Sequence, residues 1–146
     1  MSNPEPSIIN FLVLDASIWV SRLVEQDEMH SAVKCWMDEQ RADGALFISP
    51  ALLLAEVGGA ITRRTGESSL GNRAISVLED LPGLRLVEMD HELMHTAARI
   101  AAELGLRGAD SVYVAVAHQL SLPLVSLDLD QQQRAASQIK IIPIIG

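Results

Sequence analysis

The chain has 146 residues, 49% of them hydrophobic, and a formal net charge of -8. That is enough apolar material for one core without a structural metal, and the single cysteine, Cys35, excludes an intrachain disulfide. The acidity excludes a broad cationic surface that grips nucleic acid unaided, and two Trp, two Phe and one Tyr are too few for a base-stacking platform. A bound metal or a local arginine patch can still reverse the field where it matters, so nucleic acid stays open. The start, MSNPEPSIINFLVL, has no basic leader, small-residue cleavage site or long apolar run. It leads us to expect a soluble, cytoplasmic protein without a membrane partner.

Residues 8–14 are a nearly unbroken apolar run ending in Asp15, which suits a strand buried on both faces. A short helix from Ser17 is expected next. A second follows from about Glu28, with Met29, Val33, Trp36 and Met37 on one face and Gly44 as its stop. Residues 45–48 read as a second strand. Ser49 and Pro50 then read as the cap and first position of a third helix, which passes through Leu53, Val57 and Ile61 to Gly66. A fourth helix spans about 69–80 and is broken by Pro82-Gly83. Residues 84–88 are a third strand, Asp90 caps a fifth helix, and Gly105 stops it. The sixth helix, about 109–120, carries VYVAVA and is apolar almost all round, hence buried. Residues 124–127 form a fourth strand, 131–136 a polar helical turn, and 139–145 a last strand whose proline marks it as an edge.

Strands alternating with helices predict one α/β domain over 1–146, with a mainly parallel sheet covered on both faces. In such sheets the site lies beyond the carboxyl ends of the strands, where the strand order reverses. Asp15 and Asp128 close the first and fourth strands and so belong at that edge. Asp110, in RGADSVYVAVA, opens the sixth helix. Each of the three also suits a helix cap or turn.

Glu56 is more informative. In PALLLAEVGGAITRR it shares a helical face with Leu53, Val57 and Ala60, where an unpaired carboxylate costs several kcal/mol, about what burying a polar group without a partner costs. Arg63 and Arg64 lie beyond Gly58-Gly59 near the helix end, which makes a cation among the acids the better partner. Four carboxylates from four elements repel one another unless a cation sits between them. An oxygen-only ligand set favours Mg2+ or Mn2+ over zinc, and phosphoester hydrolysis is the chemistry that goes with such an ion.

In order and spacing, VLDASIWV, the AEVGGAI helix, ADSVYVAVA and LVSLD resemble the four acidic motifs of PIN-domain ribonucleases. At this size the chain is most similar to VapC-type toxins of toxin–antitoxin pairs. The resemblance covers essentially the whole chain and implies a flavodoxin-like, three-layer α/β/α sandwich. It implies metal-binding roles for Asp15, Glu56, Asp110 and Asp128, with Ser17 and Ser126 supporting the first and last acids. Asp130 is close enough in sequence to be a further ligand. Endonucleolytic cleavage of RNA, a homodimer and inhibition by a cognate antitoxin are implied as well. Arg107, Arg63 and Arg64 are candidate phosphate clamps. A catalytically silent interaction module of the same fold is the second reading.

HELMH, residues 91–95, is a literal HExxH match and offers a third reading, a zinc hydrolase. Against it, Asp90 puts His91 and Glu92 in a first helical turn, and no histidine continues the longer pattern. The stripe Leu93, Ala97, Ile100 and Leu104 lies opposite the two histidines, which are therefore expected to face water. His30 and His118 have no evident partners. LDLDQ lacks the residues that follow the aspartates in aspartyl-phosphate phosphatases, and the glycine-containing stretches lack a Walker lysine.

Overall fold

In the computed structural model, which describes residues 10–144, the first apolar run forms β1 (Phe11–Leu14). Ile8, Ile9 and Ile145, at the outer ends of the expected first and last strands, lie outside the described residues. Side chains alternate across a strand, and β1 shows what that does here. Leu12 and Leu14 enter one buried cluster, while Val13 enters the other. The chain continues through α1 (Ala16–Leu23), α2 (His30–Ala42), β2 (Leu46–Pro50), α3 (Leu53–Thr65) and α4 (Ser68–Glu79). It then forms β3 (Leu84–Val87), α5 (His91–Leu104), α6 (Gly108–Leu120), β4 (Leu124–Val125), α7 (Leu129–Ala135) and β5 (Ile141–Ile142).

The five strands are ordered β3-β2-β1-β4-β5 and every pairing is parallel. Residues of α1 to α4, including Trp19, Val33, Met37, Leu53, Val57 and Leu78, fill one face of the sheet. Leu93, Ala97 and Ile100 of α5 and Val112 to Ala117 of α6 fill the other. The result is the expected three-layer α/β/α sandwich, with a sheet that is wholly parallel among the described residues. The last strand is an edge, as expected, but it spans only Ile141–Ile142, and Pro143 follows it instead of lying within it. No helix among the described residues is long and apolar enough to cross a membrane.

Local chemistry accounts for most boundaries. Asp90 caps α5 by accepting from the Leu93 amide at 2.8 Å, and Gly66 and Gly105 end α3 and α5 with φ of 73° and 67°, a conformation open to glycine at little cost. The third helix departs from expectation. Ser49 and Pro50 do not open it; they finish β2, where Pro50 pairs with Val87, and α3 starts at Leu53. Ser49 is fully buried. Its hydroxyl donates to the Leu14 carbonyl at 2.6 Å and accepts from Trp19 Nε1 at 3.2 Å. A cross-sheet tie thus replaces the cap.

The approach of α3 to α4 depends on glycine. A Cβ on Gly71 would overlap Thr62 Oγ1 and lie 2.7 Å from the Gly58 carbonyl oxygen, a backbone atom that cannot move aside. Gly71→Ala is expected to destabilise the fold by about 1–3 kcal/mol, despite alanine's better helix propensity, because overpacking wins. Urea denaturation measures this. An unchanged or higher midpoint would show that α3 and α4 can part without loss.

Candidate active site

β1 turns to β2 and β3 on one side, whereas β4 joins it on the other. The strand order therefore reverses between β1 and β4, and a crevice opens at their carboxyl ends. The turns leaving the two strands are stitched together. Asp15 N donates to the Val125 carbonyl at 2.9 Å, and Leu127 N donates to Ser17 Oγ at 3.0 Å.

Asp15 is the N-cap of α1 and is only 5% exposed. Its Oδ2 accepts from Ser17 N at 3.2 Å and Ser17 Oγ at 2.7 Å. Ser126 Oγ lies 3.1 Å from the same oxygen and 2.8 Å from Gln131 Oε1; its one proton serves one acceptor at a time. These bonds all end on Oδ2, so Oδ1 has the most freedom to face a cation. Burial pushes the Asp15 carboxyl above the usual aspartate range, and the donors offset only part of that push.

Glu56 comes from the first turn of α3. Its Oε1 is buried and accepts no hydrogen bond, and the buried Tyr113 hydroxyl of α6 is likewise unmatched. The two groups are near neighbours without a well-formed bond between them, and each alters the other's proton affinity. Burial raises Glu56 first, the Tyr113 hydroxyl opposes this, and the charges of Asp15 and Asp110 raise it further. Tyr113 is pushed strongly up by burial and by Glu56. Neither Arg63 nor Arg64 pairs with Glu56; Arg64 binds Asp27 at 2.7 Å.

Asp110 lies in the first turn of α6. Burial raises its carboxyl, the charges of Asp15 and Asp128 add to that, and Arg107 opposes them. Asp128 caps α7 through the Gln131 amide at 3.2 Å. Arg107 spans the last two acids, with Nε 3.4 Å from Asp110 Oδ2 and Nη2 3.5 Å from Asp128 Oδ2. Asp130 is not drawn in. It is exposed, and its two oxygens share the single Arg134 Nε proton at 3.0 Å.

Among the described residues no three Asp, Glu, His or Cys side chains stand close enough to hold one ion as placed. The donor set nevertheless fits a hard divalent cation. It is all oxygen, its Glu56 Oε1 is buried without a well-formed hydrogen bond, and three of its acids are raised by burial, Glu56 and Asp110 also by the charges of neighbouring acids. Arg107 supplies the positive charge that two of them face. Beside the acids lies a cleft of about 450 Å³ whose lining includes Glu56 and Asp128, apolar Val20 and Ala60, and Asp27, Arg63 and Arg64.

Two residues of this region escaped the sequence reading. Gln131 is 1% exposed and ties Asp128, Ser126 and the Asp110 carbonyl together. Its signal was the place three residues after a capping aspartate, where Glu or Gln closes a capping box. Tyr113, one turn after Asp110, is the lone aromatic in an aliphatic helix. In HELMH, His91 and His95 are exposed, as expected, and stack on each other at 6.3 Å.

A crevice with acidic side chains at the carboxyl edge of a parallel sheet defines the class, an α/β/α sandwich. Residues 12–137 match the PIN domain model, and the chain belongs to the PIN-domain family. Its fold is similar to that of Mycobacterium tuberculosis VapC20, a sarcin-ricin loop cleaving toxin, with a TM-score of 0.75 and 18% identity over 90% of this chain and 99% of that one. It is similar to a chain of Rickettsia felis VapBC2 bound to a promoter DNA fragment, at TM-score 0.71 and 11% identity over 92% and 99%. It also resembles a chain of a Klebsiella pneumoniae toxin-antitoxin complex, at TM-score 0.61 and 13% identity over 90% and 95%. Compared by sequence with curated proteins, the chain matches none.

Proposed function

We propose that this chain is a metal-dependent endoribonuclease and the toxin of a VapBC-type toxin–antitoxin pair. The observation that carries the reading is Glu56 Oε1, a buried carboxylate oxygen with no well-formed hydrogen bond and only the Tyr113 hydroxyl beside it, in a carboxylate coupled by charge to Asp15 and Asp110. A fold that tolerates such repulsion retains it for a cation. Asp15, Glu56, Asp110 and Asp128 would hold Mg2+ or Mn2+, which when bound supplies Lewis acidity and activates water at a phosphodiester.

The protein's own groups do the rest. Ser17 and Ser126 fix the Asp15 carboxylate, and Gln131 fixes Ser126 and the start of α7. Tyr113, fully buried, stands beside the Glu56 carboxylate. Arg107, whose side chain is 80% exposed, can turn its fork from the two aspartates to a phosphate oxygen. In-line displacement of the 3′ oxygen leaves a 5′ phosphate. A cognate antitoxin, a homodimer and a cytoplasmic setting belong to the same proposal. Toxin–antitoxin complexes among the similar folds support the antitoxin.

One observation favours a silent module of this fold, the bridge of Arg107 between Asp110 and Asp128. An arginine there satisfies two acids without any ion. Purified, antitoxin-free protein separates the two readings. It is expected to cleave labelled RNA with Mg2+ or Mn2+, to stop in EDTA, and to keep its activity when His91 and His95 are both alanine. Absence of cleavage at any metal concentration would favour the module, and dependence on the histidines would revive the zinc hydrolase.

A further inference from the structure

The cleft beside the acids also carries charge of the opposite sign. Arg63 and Arg64 line it together with Asp27. The second arginine is built in. Arg64 Nη1 binds Asp27 Oδ2 at 2.7 Å, while Asp27 Oδ1 accepts from the Met29 amide at 2.9 Å and Ser21 Oγ at 3.1 Å. Burial alone would raise Asp27, but these donors outweigh it and hold the carboxyl below the usual range. Its charge therefore persists as an anchor, and it engages only one edge of a guanidinium that has five N–H donors.

Arg63 is placed differently. It forms no ion pair among the described residues, in a chain with 19 acidic and 11 basic residues. Seven residues put it about 10 Å along α3 from Glu56, and its side chain folds back along the helix to Gly59. Nη1 reaches to 3.0 Å from where a Cβ on Gly59 would stand. Val20 and Ala60 line the cleft as well. Two of the site acids, Glu56 and Asp128, apolar Val20 and Ala60, and two arginines in one cleft match a strand of alternating phosphates and riboses better than an isolated phosphate ester.

We infer that Arg63 and Arg64 form a second phosphate site, which holds a neighbouring phosphate of the same single RNA strand whose scissile phosphate lies at the acids. This rests on the nuclease reading for the scissile end, and it adds that the substrate must continue past the cut on the arginine side. It also accounts for how so acidic a chain retains RNA: the two arginines supply local attraction that a net charge of -8 does not.

The test is binding of a short fluorescein-labelled single-stranded RNA, followed by anisotropy across a salt series with Ca2+ in place of Mg2+ to slow turnover. Arg63→Ala is expected to weaken binding about tenfold, the scale of one charge-assisted contact. It should also reduce the slope of log affinity against log salt by about 0.7, one phosphate contact on a single strand. Arg63→Lys should restore the slope. Arg99→Ala, which removes an exposed charge on α5, should change neither. A slope equal to wild type in Arg63→Ala, or the same loss in Arg99→Ala, overturns the site. Cleavage of the same RNA with Mg2+ separates the two layers. A protein that cleaves but shows no Arg63 dependence loses only the second site, whereas one that binds through Arg63 and never cleaves loses only the nuclease reading.

Discussion

Asp15→Asn is expected to lower RNA cleavage at saturating Mg2+ by at least about a hundredfold, the loss that follows when several kcal/mol of metal-assisted stabilisation is removed, with the fold intact. Asparagine is as good an N-cap as aspartate, and its carbonyl oxygen can accept the bonds that Ser17 and Ser126 now give to Oδ2. What is lost is charge. Because burial raises the carboxyl in the folded state, its contribution to stability is fully present below the unfolded pKa and is lost as pH rises through the folded one. Metal-free wild type should therefore lose stability from acid toward neutral pH relative to Asp15→Asn. Gel assays of cleavage and circular-dichroism melts in EDTA across that range test both halves. Undiminished cleavage by Asp15→Asn would remove the basis for a metal centre here.

Where one residue's local chemistry decided the outcome, the chain could be read directly. Asp90 and Gly105 bound α5 because a carboxylate accepts from a turn's free amide and glycine takes a positive φ without strain. Buried apolar runs identified the parallel sheet, because a strand covered on both faces has no polar side to show. Ser49-Pro50 misled because a good cap sequence was outcompeted by a partner far away in the chain, the Leu14 carbonyl. Asp128 and Asp130 have nearly the same local context in SLDLD. Only the geometry of the turn leaving β4 separates them, turning one to the Gln131 amide and Arg107 and the other to Arg134. Glu56 was legible through its cost, whereas Tyr113, which shares that burial, gave no sign because tyrosine in a core is ordinary. The pairing of Arg107 with two acids likewise follows from how α6 and α7 meet, which no spacing along the chain encodes.

Glu56→Gln should separate the site from the fold most clearly. In EDTA the substitution is expected to raise the melting temperature, because it removes a charge held near Asp15 and Asp110 and leaves a neutral amide beside the Tyr113 hydroxyl. With Mg2+ the order should reverse. A ligand at a hundredfold excess over its Kd stabilises the native state by about 2.7 kcal/mol, roughly 5–10 °C for a domain of this size. Wild type should show that rise, and Glu56→Gln, with one fewer charged ligand, should lose most of it together with cleavage. Differential scanning fluorimetry over a Mg2+ titration gives both arms in one experiment. A variant that melts lower than wild type in EDTA would mean that Glu56 is held by a protein partner and stabilises the fold. Equal Mg2+ responses would place the cation elsewhere. The expected crossing of the two curves has one physical source: the repulsion that weakens the empty fold is the attraction that holds the ion, so stability without metal and activity with it trade against each other at this residue.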